Sequence, residues 1–253
     1  MQTTKPTKTI RSAKIVISGG FGVGKTTLVG AISEITPLRT EAAMTSAGVG
    51  TDDRQLLSQK TTTTVALDFG RVTIDETVAL YLFGTPGQDR FGFMWNDLVK
   101  GALGAIVLAD TRRLEDCYPA IDYYEQRSIP MIVAINVFDG CPPFELSEVR
   151  DAVNVPANVP VLRFDARDKE SVKLVLRTLL NQLLVLRKAK KTAVSVQQQA
   201  LVNTDGTDHG EGDDLIISAL EKSVESSTYP VKVSDVVGHG KQGQDDLYKP
   251  VTS

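Results

Sequence analysis

The sequence predicts an α/β fold: a six-stranded, mostly parallel sheet with one antiparallel edge strand and helices on both faces. Three observations carry this reading. Short β-branched runs alternate with stretches of helical spacing from residue 13 to residue 191. Several of the runs are apolar at nearly every position, as strands buried on both faces must be. The first run also leads through a cluster of glycines directly into a helix-like stretch, which is how a strand–loop–helix unit begins.

Ala13 to Ser18 (AKIVIS) is the first strand, and Thr26 to Ile35 has helical spacing that ends before Pro37. Val65 to Val72 and Thr77 to Phe83 are two strand-like runs separated by a few polar residues, which predicts an antiparallel hairpin. Ala105 to Ala109, Met131 to Asn136 and Val159 to Phe164 are the compact apolar runs of a parallel sheet. Helices are expected near Tyr118 to Arg127, Phe144 to Val153 and Glu170 to Lys191. The last carries a stripe through Val172, Val175, Leu176, Leu179, Leu180, Leu183, Leu184 and Leu186, wide enough to cover a sheet. It closes on Arg187, Lys188, Lys190 and Lys191, favourable charges at a helix C-terminus.

The chain has 253 residues, 42% of them hydrophobic, enough for one large domain or two small ones. Its 28 Lys plus Arg against 31 Asp plus Glu give −3, which removes the basic excess of a general nucleic-acid binder. The charge is uneven. From Thr192 onward there are 4 Lys and 10 acidic residues, a balance of −6, so the preceding residues stand at +3. The expected organisation is a flexible arm over 1–12, a folded domain over 13–191 and an acidic, largely disordered tail over 192–253, too polar to offset chain entropy by burial. Cys117 and Cys141 match no metal-ligand spacing and read as reduced thiols. With no signal-like or membrane-spanning run, a soluble cytoplasmic protein is expected.

Gly19-Gly20-Phe21-Gly22-Val23-Gly24-Lys25-Thr26, followed by Thr27, fills the pattern GxxxxGK[ST] between a predicted strand and a predicted helix. Glycines let successive backbone N–H groups converge on a phosphate, and the helix N-terminus adds its positive end. Lys25 would bridge the β- and γ-phosphates and the Thr26 hydroxyl would bind Mg²⁺. The chain is therefore read as a P-loop NTPase taking a nucleoside tri- or diphosphate with Mg²⁺.

Asn136-Val137-Phe138-Asp139 follows the fifth predicted strand. A carboxylate there can accept two hydrogen bonds from the N1–H and 2-amino group of guanine, and adenine offers neither donor. Asp139 is the candidate guanine reader, with Asn136 holding the loops together. After the last strand, Ala166 would present its backbone amide to the guanine carbonyl beside Arg167, while Asp168 suits a helix start. Two segments could sense the γ-phosphate. Lys60-Thr61-Thr62-Thr63-Thr64 ends a long loop whose Thr can reach Mg²⁺, and in Gly84-Thr85-Pro86-Gly87-Gln88 the Gly87 amide could donate to the γ-phosphate while Gln88 orients water. Loops held by a γ-phosphate and released on hydrolysis make a switch.

In GGFGVGKTT, TTTTVALDFGRV, LFGTPGQDRF, GALGAIVLADTRR, NVFDG and DARDKES the chain resembles the small Ras-like GTPases, most closely the MglA-like GTPases of actinobacterial conservon operons. The resemblance runs over residues 13 to 185. It implies a GTP/GDP-binding switch with slow Mg²⁺-dependent hydrolysis, in which Lys25, Gln88 and the switch I residue Thr64 are catalytic and Thr26 and Thr64 hold the metal. It also implies a roadblock-type protein and a sensor-kinase-like protein as partners in a signalling complex, with room for peripheral membrane association through them. The chain departs from the family in three places. Gly84 stands where Ras-like proteins carry the Asp that supports Mg²⁺ through water, with Asp68 or Asp110 as replacements. Val137 replaces the usual Lys of the guanine motif, leaving Phe138 to stack on the base. No Arg adjoins the switch I Thr, so hydrolysis would draw on an Arg from a partner. These departures keep open a nucleotide-locked scaffold without turnover. A P-loop kinase is the least favoured reading, because Leu114 to Arg127 adds only Arg127 to the Arg112-Arg113 pair.

Phe91, Phe93 and Trp95 follow the second switch segment and read equally as core or as a partner surface. His209 and His239 fall in the tail and are assigned no role.

Overall fold

A computed structural model of the chain describes residues 10–44, 63–87, 94–141 and 144–200. Seven strands form one sheet in the order β2-β3-β4-β1-β5-β6-β7. They are β1 (Arg11–Gly19), β2 (Leu38–Met44), β3 (Thr63–Thr73), β4 (Val78–Gly84), β5 (Ala102–Ala109), β6 (Met131–Asn136) and β7 (Val161–Phe164). β4, β1, β5, β6 and β7 run parallel. β3 is antiparallel to both of its neighbours.

All six expected strands are present, within an α/β P-loop fold. The count needs one addition. Leu38–Met44 pairs along its whole length with β3, Leu38 opposite Phe69 and Met44 opposite Thr63. The antiparallel strand is therefore covered on its outer side and is not the sheet's edge. Sequence pattern hides β2 because LRTEAAM neither alternates nor forms an apolar run; it is a strand by pairing, not by propensity.

The helices are α1 (Lys25–Ile32), α2 (Trp95–Val99), α3 (Tyr118–Gln126), α4 (Leu146–Val153) and α5 (Lys169–Ala200), with a 3-10 turn at Leu114–Cys117. Each parallel strand sends alternate side chains to opposite faces. Ile15, Ile17, Ile106, Leu108, Ile132 and Ala134 enter one core with Leu28 and Val29 of α1 and with Val172, Val175, Leu176 and Leu179 of α5. Val16, Ala105, Val107, Met131, Val133 and Ile135 enter the other, with Ala120, Ile121 and Tyr124 of α3 and Val149 and Val153 of α4. Both faces are thus buried, which is why these strands read as unbroken apolar runs.

The expected stripe on α5 covers the sheet from Val172 through Leu183, with Leu184 also buried, whereas Leu186 is only partly buried and lies outside that core. Asp168 caps this helix as anticipated, its carboxylate accepting from the Ser171 amide at 2.7 Å. α5 continues to Ala200, past the expected end of the folded part at residue 191. The rest of the tail, Lys60 to Thr62, Gln88, Phe91 and Phe93 lie outside the described residues. The parallel strands bring the loops after β1, β4, β5, β6 and β7 to one edge, and neighbours of β1 on either side come from later in the chain. Such a reversal of strand order opens a crevice at the carboxyl ends of the strands.

Candidate functional site

The loop after β1 is built as the phosphate pattern requires. Gly24 precedes α1 at φ +106°, where a side chain would be strained, and a Cβ there would lie 2.6 Å from Asn136 Nδ2. Gly24, the residue that caps α1, has no side chain to offer the helix's first N–H groups. Lys25 is buried and donates to the carbonyls of Gly19 and Gly20 at 2.8 and 2.7 Å. Burial pulls its ammonium down to about 8, against the opposing influence of Asp68 and Asp116. Thr27 and Phe21 are exposed, and Val23 is buried beneath the loop.

Of Asp68 and Asp110, it is Asp68 that meets Thr26. Its hydroxyl donates to Asp68 Oδ2 at 2.6 Å. Asp68 lies on β3 directly across from Gly84. A Cβ on Gly84 would stand 3.0 Å from the Asp68 Cβ and 3.2 Å from its Oδ2. The Asp68 carboxylate therefore occupies the space that a longer residue 84 would need. Asp110 is committed elsewhere. Its carboxylate accepts from Arg112 Nε at 2.9 Å, from Arg112 Nη2 at 2.6 Å and from the Arg112 amide at 3.0 Å. Burial pushes the Asp110 carboxyl up, and these Arg112 contacts outweigh it and hold it below the usual range.

The turn after β4 packs against the phosphate loop. The Thr85 amide donates to Ile17 at 2.8 Å, and its hydroxyl donates to Ser18 Oγ at 3.2 Å, which shares a 2.5 Å hydrogen bond with the buried Tyr124 hydroxyl. Tyr124 stacks on Trp95 with ring centroids 6.5 Å apart, so Trp95 packs inward against α3. Gly87 comes so close to the loop that a Cβ would lie 2.7 Å from Lys25 Nζ and 2.8 Å from the Phe21 nitrogen. Thr64 is placed differently from expectation. It lies inside β3, paired with Ala43, and not in a loop ahead of the strand. It stands four residues before Asp68, about 13 Å along an extended chain. β-branched Thr63 and Thr64 join the ladder because β2 is there to pair with them.

Asn136 performs the bracing role expected of it. Its Nδ2 donates to the Val23 carbonyl at 3.0 Å, and its Oδ1 accepts from the Ala166 amide at 3.0 Å. The amide proposed for a base carbonyl is thus held by Asn136 here. Asp139, at the same edge, is 79% exposed and paired with Arg167 through contacts of 2.6 and 3.1 Å. The same guanidinium takes both oxygens of Asp165, at 3.0 and 2.8 Å. Hydrogen bonding and charge from Arg167 hold the Asp139 carboxyl below the usual range. Phe138 has one ring face covered, with the Arg112 guanidinium 3.9 Å from its centroid. Asp165 and Arg113 lie inside the motifs DARDKES and GALGAIVLADTRR but are given no role by them, and Asp116 lies outside the motifs. The only sequence signal for Arg113 and Asp116 is that their polar turn, DTRRLED, follows a buried strand. Among the described residues, no cluster of His, Cys, Asp and Glu forms a preassembled metal centre, and no helix is long and apolar enough to cross a membrane.

Two expectations follow. In the free chain Lys25 loses its proton near pH 8 rather than 10.5. Across that window the folded state holds fewer protons than the unfolded one, so stability rises with pH, and bound phosphate reverses the shift. Affinity for a nucleoside diphosphate should therefore fall above pH 8, by up to about tenfold per pH unit, with net proton uptake on binding. Calorimetry at pH 8.5 in buffers of different ionisation enthalpy reads that uptake, and its absence would refute the assignment. Asn136→Ala leaves the Val23 carbonyl and Ala166 amide unpaired and should cost about 1–3 kcal/mol in denaturant unfolding.

Residues 17–203 match the family described as "Conserved hypothetical ATP binding protein". An uncharacterized protein of Methanocaldococcus jannaschii is 31% identical over 129 residues, covering 50% of this chain and 70% of that protein. The FeoB G-domain from Methanococcus jannaschii is similar with a TM-score of 0.47 at 12% identity, over 69% of this chain and 99% of that one. The G domain of the T. maritima FeoB iron transporter gives 0.47 at 18% identity, over 68% and 99%. With its match running from the end of β1 beyond α5, the chain belongs to this family of conserved hypothetical ATP binding proteins, and it is a nucleotide-binding α/β P-loop protein.

Proposed function

We propose that the protein is a GTP/GDP-binding molecular switch with slow, Mg²⁺-dependent GTP hydrolysis. The observation that carries the guanine reading is Asp139. Asn136 braces the phosphate loop against the loop after β7. Asp139 leaves this brace three residues on, its ionised carboxylate exposed and aligned by Arg167. A carboxylate so presented accepts two N–H donors from guanine, and adenine has no matching pair. The base takes over the Asp139 oxygens now shared with Arg167, whose fork keeps its bonds to Asp165.

The donor set around Thr26 fits Mg²⁺. A hydroxyl and a carboxylate are hard oxygen ligands of the kind this ion takes, and the pair is already together at 2.6 Å. Thr26 would hold the ion directly and Asp68 would hold its water, the role lost at Gly84. When bound, Mg²⁺ neutralises phosphate charge. Lys25 holds the β- and γ-phosphates, Gly87 donates its amide to the γ-phosphate and Gln88 orients water. Thr64 would have to leave the β2–β3 ladder to reach the metal, which is the rearrangement expected of a switch segment. The narrower likeness to MglA-like conservon proteins rests on the motifs alone, and extends the proposal to roadblock-type and sensor-kinase-like partners.

The family description favours a second reading, in which the base is adenine. Competition of GDP, GTP, ADP and ATP against a fluorescent nucleotide decides between them. Guanine nucleotides should bind at least about 100-fold tighter, and Asp139→Ala should remove most of that margin, since hydrogen bonds to a charged group contribute about 1.5–3 kcal/mol each. Equal affinity for ATP would sink the guanine assignment. Asp68→Asn should raise the Mg²⁺ concentration needed for half-maximal GTP binding by about tenfold or more; an unchanged value would show that Asp68 has no part in holding the ion.

A further inference from the structure

Two arginines follow β5, and they are used differently. Arg112 is committed to Asp110 and to the Phe138 ring. Arg113 turns the other way, its Nη2 donating to the Phe21 carbonyl at 2.7 Å. Lys25 already holds the carbonyls of Gly19 and Gly20. Three consecutive carbonyls of the phosphate loop therefore carry cationic donors, two from the lysine inside the loop and one from an arginine of the next strand's turn.

Asp116 fixes this placement. Its carboxylate stands 3.5 Å from Arg113 Nη1. It also packs on Gly20, where a Cβ would lie 2.7 Å from Oδ2. Residue 20 must be small for Asp116 to rest there, and Asp116 in turn keeps the guanidinium at the rim of the loop. The half-exposed Arg113 head contacts the Phe21 carbonyl and Asp116, and a pivot about its long stem would exchange that carbonyl for another acceptor. A backbone carbonyl is a neutral acceptor, whereas hydrogen bonds to phosphate oxygens are charge-assisted and about twice as strong. The planar fork also suits two phosphate oxygens at once.

We propose that Arg113 is a catalytic arginine supplied in cis, which passes from the Phe21 carbonyl to the γ-phosphate of bound nucleoside triphosphate and speeds its hydrolysis. The inference rests on the nucleotide reading above, whichever base is bound. In the reaction, the oxygen of water bonds to the γ-phosphorus and the bond from that phosphorus to the β–γ bridging oxygen breaks. Its electron pair stays on the leaving nucleoside diphosphate, and a proton of the water passes to the phosphate released. Arg113 exchanges no proton; it stabilises charge that spreads onto the γ-oxygens and the bridging oxygen in the transition state. This is the arginine that the sequence motifs leave to a partner.

The test uses the full chain without partners. Wild type should form a GDP–aluminium fluoride complex on its own, or the ADP complex if the base is adenine. Arg113→Ala should keep diphosphate affinity within threefold, slow single-turnover hydrolysis by about 100-fold or more, and lose the fluoride complex; a cis arginine is worth about 10³ to 10⁵ where it operates. Arg113→Lys keeps the charge but not the fork and should recover little of the rate, and it decides the matter if the alanine variant proves unfolded by circular dichroism. Equal rates in wild type and variant, or a wild type that binds triphosphate without turning it over, would overturn the role of Arg113 and leave nucleotide binding intact. A wild type that binds neither GTP nor ATP would overturn the nucleotide reading itself.

Discussion

A single buried carboxamide, that of Asn136, holds two loops of the sheet's carboxyl edge at once, donating to Val23 and accepting from Ala166. Neither loop has regular structure to position it. The phosphate loop connects β1 to α1 and the loop after β7 leads into α5; Arg113 and Asp116 hold the outer side of the first, and the Asn136 carboxamide ties the two loops to each other. The constraint explains the last glycine of the phosphate pattern in terms of packing. A Cβ at Gly24 would sit on the Asn136 amide, so a substitution there would dislodge the brace as well as strain the backbone. Because Asn136 is almost fully buried, leaving its partners unpaired costs more than an exposed hydrogen bond would.

Charge is distributed around this brace in two separate groups. On the phosphate side, Lys25 and Arg113 face Asp68 and Asp116, a balance of two cations and two carboxylates around a loop meant for a multiply charged anion. Without ligand, the carboxylates keep the cations in place; with ligand, the phosphates compete for the same cations. On the far side, Arg167 spans Asp139 and Asp165 and Arg112 spans Asp110 and Phe138. The Arg167 pairs are exposed or half-exposed, and their worth lies in orientation more than in stability; Asp110 is buried, and Arg112 reaches it from a half-exposed position.

The fold was legible because its strongest signals are local. Doubly buried strands such as Met131–Asn136 must be apolar throughout, and α5 must show its stripe, so both can be read without a partner. β2 could not be read, since LRTEAAM is a strand only because β3 lies beside it. The same division runs through the site. Gly24, Lys25 and Thr26 at the start of α1, and Asn136 and Asp139 at and beyond the end of β6, sit at fixed spacings within one short segment each, so pattern alone reveals them. The choice of Asp68 over Asp110 depends on strand register, and Arg113 and Asp116 depend on a turn folding back onto another loop; spacing along the chain carries neither. Thr64 shows the opposite case, in which a motif position implies a loop although the residue and its β-branched neighbours extend a strand.

The hydroxyl chain from Thr85 through Ser18 to Tyr124 ends against Trp95, and this is the only tryptophan in 253 residues. Among the described residues, its buried indole N–H has no hydrogen-bond partner. Indole emission is sensitive to what surrounds that N–H, and here the surroundings are tied through two side chains to the turn that touches the phosphate loop. The protein therefore carries a built-in optical reporter at the joint between β4 and α3, readable by stopped-flow emission without any label.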